Sequence, residues 1–464
     1  MLLVLVFGAV FFAILVGLSG FVLAQNRSQE VVRAQSEASG IAEAGLEYYR
    51  WLLSHYPGDT QNHTGHNGPF VINYTNGEGQ NVGTYTLSVV GNEACGTVQS
   101  IDVTSKGVPT DAPNESATLW ARYAQPSVAR YNMILNASVW FGPGPIFGPV
   151  HSNGGIRMDG NPNAPVTSSV TTWTCDSSYG CSGHQTEPGV FGSGSNSSMW
   201  SYPTPQTDFG AIASDYASLK SVAQSQGLYF PRISTSKQTY LGYHLVFNGD
   251  GTVTVYRVTG VSKNVRSYPA DGVYGYSKQD YGAITSETLL GTYTIPANCG
   301  LIFVEDNVWM EGSISGKVTV VAANVTNPGV YPNIQLTNNI TYTSFDGSAG
   351  LTAIASHSVL INPTAPADLT LDGIFVAQSG AFGVNLYPCS AYGNKSTLNM
   401  LGTVVSSMRP TTYWMYGNMG NGCSGGTSGY PNGTSAFDRQ NSTNPPPFTP
   451  VTSTQWQFVD WKQE

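Results

Sequence analysis

Charged residues are scarce in this chain of 464 residues, and none occurs before Arg27. Asp, Glu, Lys and Arg make up 10% of the sequence, against about a quarter in an ordinary soluble domain. The net charge is −9 and there is no run of basic residues, which argues against a nucleic-acid-binding protein. Two common site patterns are also missing: a CxxC pair and a phosphate-binding GxxxxGK[ST] loop.

The beginning of the sequence is its longest regular stretch. Residues 1–25 are apolar and long enough to cross a bilayer core, which needs about 20 apolar residues. Apolar or small side chains then recur three and four positions apart from Val31 to Leu52, as on one face of a helix. Pro57 ends this pattern. We therefore predict one continuous helix over residues 1–56, with Gly17–Gly20 as the place where it would bend.

Three interpretations of this helix are open from the residues alone. A cleaved secretory signal fits Val22-Leu23-Ala24 before Gln25, but the apolar run is longer than usual and no basic residue precedes it. The second interpretation is a single-span membrane anchor, which requires only that the segment be hydrophobic. The third interpretation is a helix that packs against copies of itself, because small residues allow close helix approach. These small residues are Gly8, Ala9, Ala13, Gly17 and Gly20.

The segment Ala42-Glu43-Ala44-Gly45-Leu46, following an apolar helix, resembles type IV pilin-like proteins, and PilX-like minor pilins most closely. Residues 148–156 and 242–248 resemble large pilin-like envelope proteins of small-genome bacteria. Pilin precursors begin with a short basic leader, and major pilins usually carry Glu at the fifth mature position. No such leader is visible in this sequence. If Met1 is the first mature residue, the fifth position is Leu5, so that either the mature numbering begins elsewhere or this is a subunit without that glutamate.

The resemblance implies a structural subunit of a type IV pilus-like filament, without enzymatic activity or a cofactor. Residues 1–25 would be the transmembrane segment and filament core. The partners would be copies of the chain, other pilin-like subunits, the membrane before assembly, and glycans on host cells or surfaces. The subunit would be anchored in the inner membrane before assembly and then become part of an extracellular pilus. The residues expected in helix packing are Gly8, Ala13, Gly17, Gly20, Ile41, Gly45 and Leu52.

The composition is typical of an exported, β-rich surface protein, in which Gly, Tyr, Asn, Ser and Thr replace charged side chains. In such a protein cysteines are expected in disulfides. Cys175 and Cys181 would close a short loop, and Cys389 and Cys423 flank a loop rich in Gly and Asn. If both pairs form, Cys95 and Cys299 would link an early domain to a late one. The pairing itself does not follow from the sequence.

A sheet is predicted directly after the helix, in a domain spanning residues 57–130. Its strands are expected near residues 70–74, 82–90, 97–104 and 117–123. Asn76-Gly77 between the first two strands is a hairpin signal. We expect this antiparallel, pilin-like sheet to cover the helix face between Ile41 and Leu52, which gives a two-layer α+β domain.

The remaining residues, 131–464, contain many short strands bounded by glycine. Four segments share a strand–turn–strand pattern: 150–158, 304–310, 354–361 and 376–384. Closely spaced short strands favour a β-solenoid, or β-helix, with a β-sandwich as the alternative. Loop excursions are expected at 167–205 and 417–447, with one short helix capped near Asp208 between them and a closing strand at 451–461. The predicted fold class is therefore α+β, mainly β.

Candidate catalytic and metal-binding residues are few. His151, Ser152 and Asp159 have the residue types of a hydrolase triad without its positional pattern. The segment Asn248-Gly-Asp-Gly lacks the spacing of a calcium loop and favours a hairpin turn. Glu305, Asp306 and Glu311 could bind calcium weakly, but a solvated corner explains them better. No catalytic site or metal site is therefore expected.

Two alternatives to a filament subunit remain open. A polysaccharide-acting β-helix enzyme would use paired carboxylates, for which Asp368 and Asp372 are candidates. A membrane-anchored adhesin would stack aromatic side chains on sugars, although the same side chains could simply pack loops. The aromatic candidates for this role are Trp173, Trp200, Tyr202, Trp414 and Tyr416.

Overall fold

The chain forms two compact units. The computed structural model describes residues 2–210, 215–233, 235, 240–270, 278–327, 329–419 and 422–463. The first unit consists of the residues up to Glu93, of Val98–Gln125 and of the segment from Gln455 onward. The second consists of Ala94–Thr97 and Pro126–Thr454. In sequence, the second unit is therefore inserted between two parts of the first.

Helix α1, Leu2–His55, runs without interruption, which confirms the helix predicted over residues 1–56. Its 54 residues span about 80 Å at 1.5 Å per residue. Among the described residues it is the one helix long and apolar enough to cross a membrane. The large apolar side chains from Leu3 to Leu23 are exposed, whereas one face is buried from Ala34 to Leu53. The helix thus has two halves with different surroundings.

The first unit contains an antiparallel sheet of five strands. Four of them are β1 (Phe70–Thr75), β2 (Asn81–Ala94), β3 (Thr97–Pro109) and β4 (Ala117–Ala124). They agree with the four strands predicted after the helix. The fifth strand, Gln457–Gln463, pairs antiparallel with β4. The closing strand expected near the end of the sequence therefore belongs to this sheet.

The buried face of α1 packs on one side of this sheet. Its central side chains contact strand residues such as Leu87 and Ile101 in one buried cluster. Glycines allow the two layers to approach closely. A Cβ on Gly45 would lie 2.4 Å from Ser105 Oγ, and a Cβ on Gly107 would lie 2.2 Å from the Ala38 carbonyl oxygen. Helix and sheet therefore meet at positions where larger side chains do not fit.

The second unit is built mainly from short strands. The strands before its longer helix are β5 (Met133–Leu135), β6 (Val139–Phe141), β7 (Pro145–Phe147), β8 (Val150–Ser152), β9 (Ile156–Met158), β10 (Asn161–Pro162), β11 (Val166–Ser168), β12 (Thr172–Cys175), β13 (Gln185–Pro188), β14 (Val190–Phe191) and β15 (Trp200–Ser201). Helix α2, Tyr216–Gln226, follows. The strands after it are β16 (Leu228–Phe230), β17 (Gly242–Asn248), β18 (Thr252–Val261), β19 (Arg266–Ser267), β20 (Lys278–Gln279), β21 (Ile284–Thr294), β22 (Leu301–Val304), β23 (Asn307–Ile314), β24 (Lys317–Ala322), β25 (Ile334–Tyr342), β26 (Gly350–Ala355), β27 (Val359–Ile361), β28 (Asp368–Ala377), β29 (Phe382–Val384), β30 (Thr397–Ser406), β31 (Tyr413–Tyr416), β32 (Gly426–Gly429) and β33 (Asn432–Ala436). A short helix, α3 (Arg439–Thr443), completes this unit, and the fifth strand of the first sheet is β34.

Most strands in the second half of this unit pair in parallel with the strand two positions later. One ladder contains β22, β24, β26, β28 and β30. The other contains β17, β23, β25, β27 and β29. Apolar side chains from both ladders, such as Val320 and Leu336, belong to one buried cluster. The four predicted strand–turn–strand segments correspond to β8–β9, β22–β23, β26–β27 and β28–β29.

Three local predictions for the second unit are wrong. Residues 167–205 are not only loop, because they contain β12, β13, β14 and β15. Residues 417–447 are not only loop, because they contain β32, β33 and α3. Their few apolar residues gave no periodic pattern, and the strands form by pairing with β31 and β30. The short helix is capped by Asp215, whose side chain accepts hydrogen bonds from the amides of Ala217 and Ser218, and not by Asp208. Residues 211–214, which we assigned to this helix, lie outside the described residues.

All six cysteines are paired. The disulfides are Cys95–Cys299, Cys175–Cys181 and Cys389–Cys423. Cys95 lies in the turn between β2 and β3, and this turn belongs to the second unit. By this division, the Cys95–Cys299 disulfide lies within the second unit.

Candidate functional site

The seven residues expected in helix packing divide into two groups. Gly8, Gly17 and Gly20 have no neighbouring atom within 4 Å of an added Cβ, and Ala13 is exposed. They lie on the part of α1 between Leu3 and Leu23, which we call the apolar helix segment. The other three, Ile41, Gly45 and Leu52, are buried against the sheet of the first unit. Within the described chain, this second group holds the helix to its own sheet.

The triad residue types do not form a catalytic arrangement. His151 contacts Thr167 Oγ1 at 2.9 Å and Asn153 Oδ1 at 3.1 Å, while Ser152 Oγ donates to the Ala137 carbonyl at 2.9 Å. Burial lowers the pKa of His151. The carboxylate of Asp159 instead accepts hydrogen bonds from Trp140 Nε1 and Arg157 Nε, each at 2.8 Å. Each group thus has partners of its own.

The three acidic residues near the β22–β23 corner point to different partners. Glu305 accepts hydrogen bonds from Lys220 Nζ at 2.9 Å and Tyr229 OH at 2.7 Å. Asp306 accepts from the backbone amide of Ile233, and Glu311 accepts from Thr337 Oγ1 at 3.1 Å. No group of three or more metal-ligating side chains occurs among the described residues.

The segment from Asn248 to Gly251 is the turn of the β17–β18 hairpin. Within it, Asp250 Oδ1 accepts from the amide of Thr252 at 3.0 Å. The carboxylate therefore stabilises the turn, as the sequence pattern indicated.

Asp368 and Asp372 lie on the same strand, β28, but in different surroundings. Asp368 is exposed, whereas Asp372 is buried and accepts a hydrogen bond from the Tyr342 amide at 3.1 Å. Burial raises the pKa of Asp372 to about 6; the amide of Tyr342 opposes this shift and the carboxylate of Asp438 adds to it. The two carboxylates therefore do not both face solvent at one open surface.

The aromatic residues proposed for sugar stacking mostly pack loops. Trp414 is buried and donates Nε1 to the Val384 carbonyl at 2.7 Å. Trp173 packs edge-on against Tyr179, and Trp200 is half-buried. The hydroxyl of Tyr416 accepts from the Cys389 amide at 2.9 Å. Of these five side chains, Tyr202 is the one that is exposed to solvent.

A different set of aromatic and amide side chains lines a cleft of about 410 Å³ in the second unit. Its floor comes from three consecutive strands of one parallel ladder. Trp309 on β23 is in register with Gln335 on β25, which is in register with Leu360 on β27. Residues in register on neighbouring strands point to the same side of a sheet. The floor is therefore a regular product of the ladder.

Polar side chains at the beginnings of the same strands form one edge of the cleft. Asn307 Oδ1 accepts from the amide of Asn333 at 2.9 Å. Asn333 Oδ1 in turn accepts from the amide of Ser358 at 3.0 Å and contacts His357 Nδ1 at 3.1 Å. This series of contacts fixes the edge by hydrogen bonds from one strand to the next.

The opposite wall consists of Tyr240 and residues around β19 and β20. The rings of Tyr240 and Tyr281 stack with centroids 4.4 Å apart and an interplanar angle of 11°. The wall is anchored by Asp280, which is buried. Its carboxylate accepts from Ser267 Oγ at 3.0 Å, Asn385 Nδ2 at 2.9 Å, Tyr387 OH at 2.7 Å and the Gly282 amide at 2.8 Å.

Gln279 is the cleft residue with an unused hydrogen-bonding atom. Its Nε2 is buried and has no hydrogen-bond partner among the residues that the structure describes. A buried donor without a partner costs about 1–3 kcal/mol. The protein encloses this atom, so it does not face the open space of the cleft.

Sequence reasoning did not find the cleft. Trp309 lies in one of the repeated strand–turn–strand segments, which was the available signal. The other lining residues are far apart in sequence, and the parallel pairing brings them together.

No protein-family model matches this chain, and no curated protein is similar to it. Among solved structures, it is similar to the competence-associated pilin ComZ from Thermus thermophilus, with 14% sequence identity and a TM-score of 0.28. The similarity covers 93% of this chain and 97% of that chain. A likeness this low does not establish a common fold or function.

Proposed function

We propose that this protein is a structural subunit of a type IV pilus-like surface filament that assembles through α1. The observation that carries this proposal is that two parts of one uninterrupted helix have different surroundings. Its apolar segment, from Leu3 to Leu23, is exposed, while the part from Ala34 to Leu53 is packed under the sheet of the first unit.

The exposed segment must be covered by lipid or by other helices. Each buried Leu, Phe or Val side chain contributes about 1.5–3 kcal/mol relative to its exposed state. A membrane anchor alone would not require the helix to continue into the domain. A rigid continuation is useful when many copies form a bundle, because the apolar segments can pack together while each helix carries its own sheet. The positions of Gly8, Ala13, Gly17 and Gly20 would allow such close packing.

The resemblance of residues 42–46 to PilX-like minor pilins supports the same proposal. Gly45 in this segment is a close-approach position between helix and sheet. A residue of any larger size there would push the sheet away from the helix. The motif therefore has a physical role in joining the assembly helix to the domain that it carries.

For the second unit we infer a solenoid-like surface domain displayed outside the cell. The two parallel ladders, with each strand paired to the strand two positions later, support this inference. Three disulfides favour an oxidising compartment. We place the subunit in the inner membrane before assembly and in an extracellular pilus afterwards. The separate partners of His151, Ser152 and Asp159 favour a role that is not enzymatic.

Substitutions in the apolar helix segment test assembly separately from membrane insertion. Ala13→Leu with Gly17→Leu fills the small-residue positions but keeps the segment apolar. We expect the variant to remain in the membrane fraction and to form few or no filaments in electron micrographs of the cell surface. Val16→Leu enlarges a neighbouring side chain that is already large, and this matched control should assemble. Normal filaments from the double variant, or a wild-type protein that stays dispersed in the membrane, would refute the proposal in favour of an anchored adhesin.

A further inference from the structure

We propose that the cleft above Trp309, Gln335 and Leu360 binds a neutral saccharide. This site lies within the second unit and does not depend on whether the first unit assembles into filaments. Its volume of about 410 Å³ falls in the usual range for small-molecule sites. The ligand class follows from the kinds of side chain that line the cleft.

Amide side chains provide most of the polar lining. They are Gln279, Asn307, Asn333, Gln335 and Asn385. Each amide group contains both donors and an acceptor. A sugar hydroxyl also both donates and accepts, so that amides and hydroxyls can pair in both directions. Asn307 and Asn385 use both ends of their amides inside the protein. Asn333 Nδ2 and Gln335 Nε2 make no hydrogen bond among the described residues, because the bonds of these two side chains involve their oxygens, and both can donate to such a ligand.

Aromatic rings supply the apolar part of the lining. Tyr281 is 37% exposed and stacks on the ring of Tyr240, which also lines the cleft. Tyr331, at 57% exposure, lines the cleft near His357. A tyrosine presents an apolar face together with a polar hydroxyl. Such rings suit the alternating C–H and hydroxyl groups of a pyranose.

The charge of the lining favours a neutral ligand. Apart from His357, the ionisable lining residues with a formal charge are Lys278 and Asp280, and their charges cancel. The carboxylate of Asp280 already accepts four hydrogen bonds from the protein. Lys278 is an exposed side chain and does not make the cationic pair or cluster that recognises carboxylate-rich glycans.

The cleft is also formed in advance of binding. Its floor is part of a parallel ladder, and its edge is fixed by the hydrogen bonds from Asn307 to Asn333 and from Asn333 to Ser358. Asp280 ties the opposite wall to Asn385 and Tyr387. Binding therefore costs little conformational entropy, which raises the affinity for a weakly bound polar ligand.

The test uses the purified full chain in detergent on an oligosaccharide array. The neutral set contains glucans and N-acetyllactosamine-type chains, which separates environmental polysaccharides from cell-surface glycans as the source. Uronate-containing and sialylated chains form the acidic set. We expect binding to members of the neutral set, followed by calorimetric titration with the best of them.

Variants then locate the bound saccharide. Tyr281→Ala and Gln335→Ala should each weaken binding about tenfold, because one removes a ring face and the other a donor. Tyr281→Phe keeps the ring and should retain most of the affinity. The matched control is Tyr413→Ala, because Tyr413 is 38% exposed on β31 and does not line the cleft. Thermal unfolding of each variant verifies that it is folded.

Three results would overturn the proposal. The first is an array on which no saccharide binds to the folded wild-type chain. The second is binding restricted to the acidic set. The third is binding that Tyr281→Ala and Gln335→Ala leave at the wild-type affinity, which would place the saccharide elsewhere.

Discussion

Gly45 offers a sharp test of how α1 is joined to its sheet, because Gly40 on the same helix provides a matched control. A Cβ at position 45 would lie 2.4 Å from Ser105 Oγ and 2.9 Å from Tyr85 Cδ2. A Cβ at position 40 would have no neighbour within 4 Å. The changes to be compared are therefore Gly45→Ala and Gly40→Ala.

The two substitutions share one energetic contribution and differ in another. Replacing a helical glycine with alanine gains about 1 kcal/mol from helix propensity at either position. Only Gly45→Ala also forces atoms into a filled interface, and such overpacking costs about 1–3 kcal/mol. Gly40→Ala should therefore stabilise the first unit by about 1 kcal/mol. Gly45→Ala should leave it about 1–3 kcal/mol less stable than Gly40→Ala.

Hydrogen exchange of the full chain in detergent measures this difference locally. Peptides from β2 and β3 report the free energy of opening the sheet that covers α1. Between the two variants, their protection should differ by a factor of about 5 to 150, which corresponds to 1–3 kcal/mol. Equal protection in Gly45→Ala and Gly40→Ala would show that the interface has room for a methyl group, and the close-approach argument would fail.

Further predictions concern the second unit. Because the folded pKa of Asp372, about 6, lies above its value in an unfolded chain, stability should fall as the pH rises from about 4 to about 6. The free energy of unfolding should decrease by about 3 kcal/mol over this pH range, and the Asp372→Asn variant should not show this decrease. In the chain-entropy treatment, the Cys95–Cys299 disulfide, with a sequence separation of 204, contributes about 5 kcal/mol. The corresponding value for Cys175–Cys181, with a separation of 6, is about 2 kcal/mol, so paired Ser substitutions should lower the unfolding temperature more for the first disulfide. Equal losses would contradict this ranking.

The first unit could be predicted closely because its patterns are local. The helical spacing from Val31 to Leu52 and the alternation in the next four strands each depend on neighbouring residues. Strand β34 was expected as a strand, but its partner was not, because pairing with β4 connects residues far apart in sequence. The same reason explains β32 and β33, whose glycine-rich sequences become strands only beside their partners.

The site was harder to predict than the fold. Composition showed that aromatic and amide side chains are abundant, but it did not show which of them face a cleft. Trp414 and Trp309 are both buried, yet Trp309 forms the floor of the cleft and Trp414 fills a loop. The difference depends on the register of parallel strands, which no single segment of sequence determines.

The insertion of the second unit has a consequence for synthesis. Strand β4 and its partner β34 are separated in sequence by the whole of Pro126–Thr454. Until β34 emerges, β4 is an edge strand of the sheet that covers α1, and its outer backbone groups are unpaired. A chain whose synthesis stops within the insertion would therefore keep β4 as an open edge, and β34 covers that edge only when the segment after the second unit has been made.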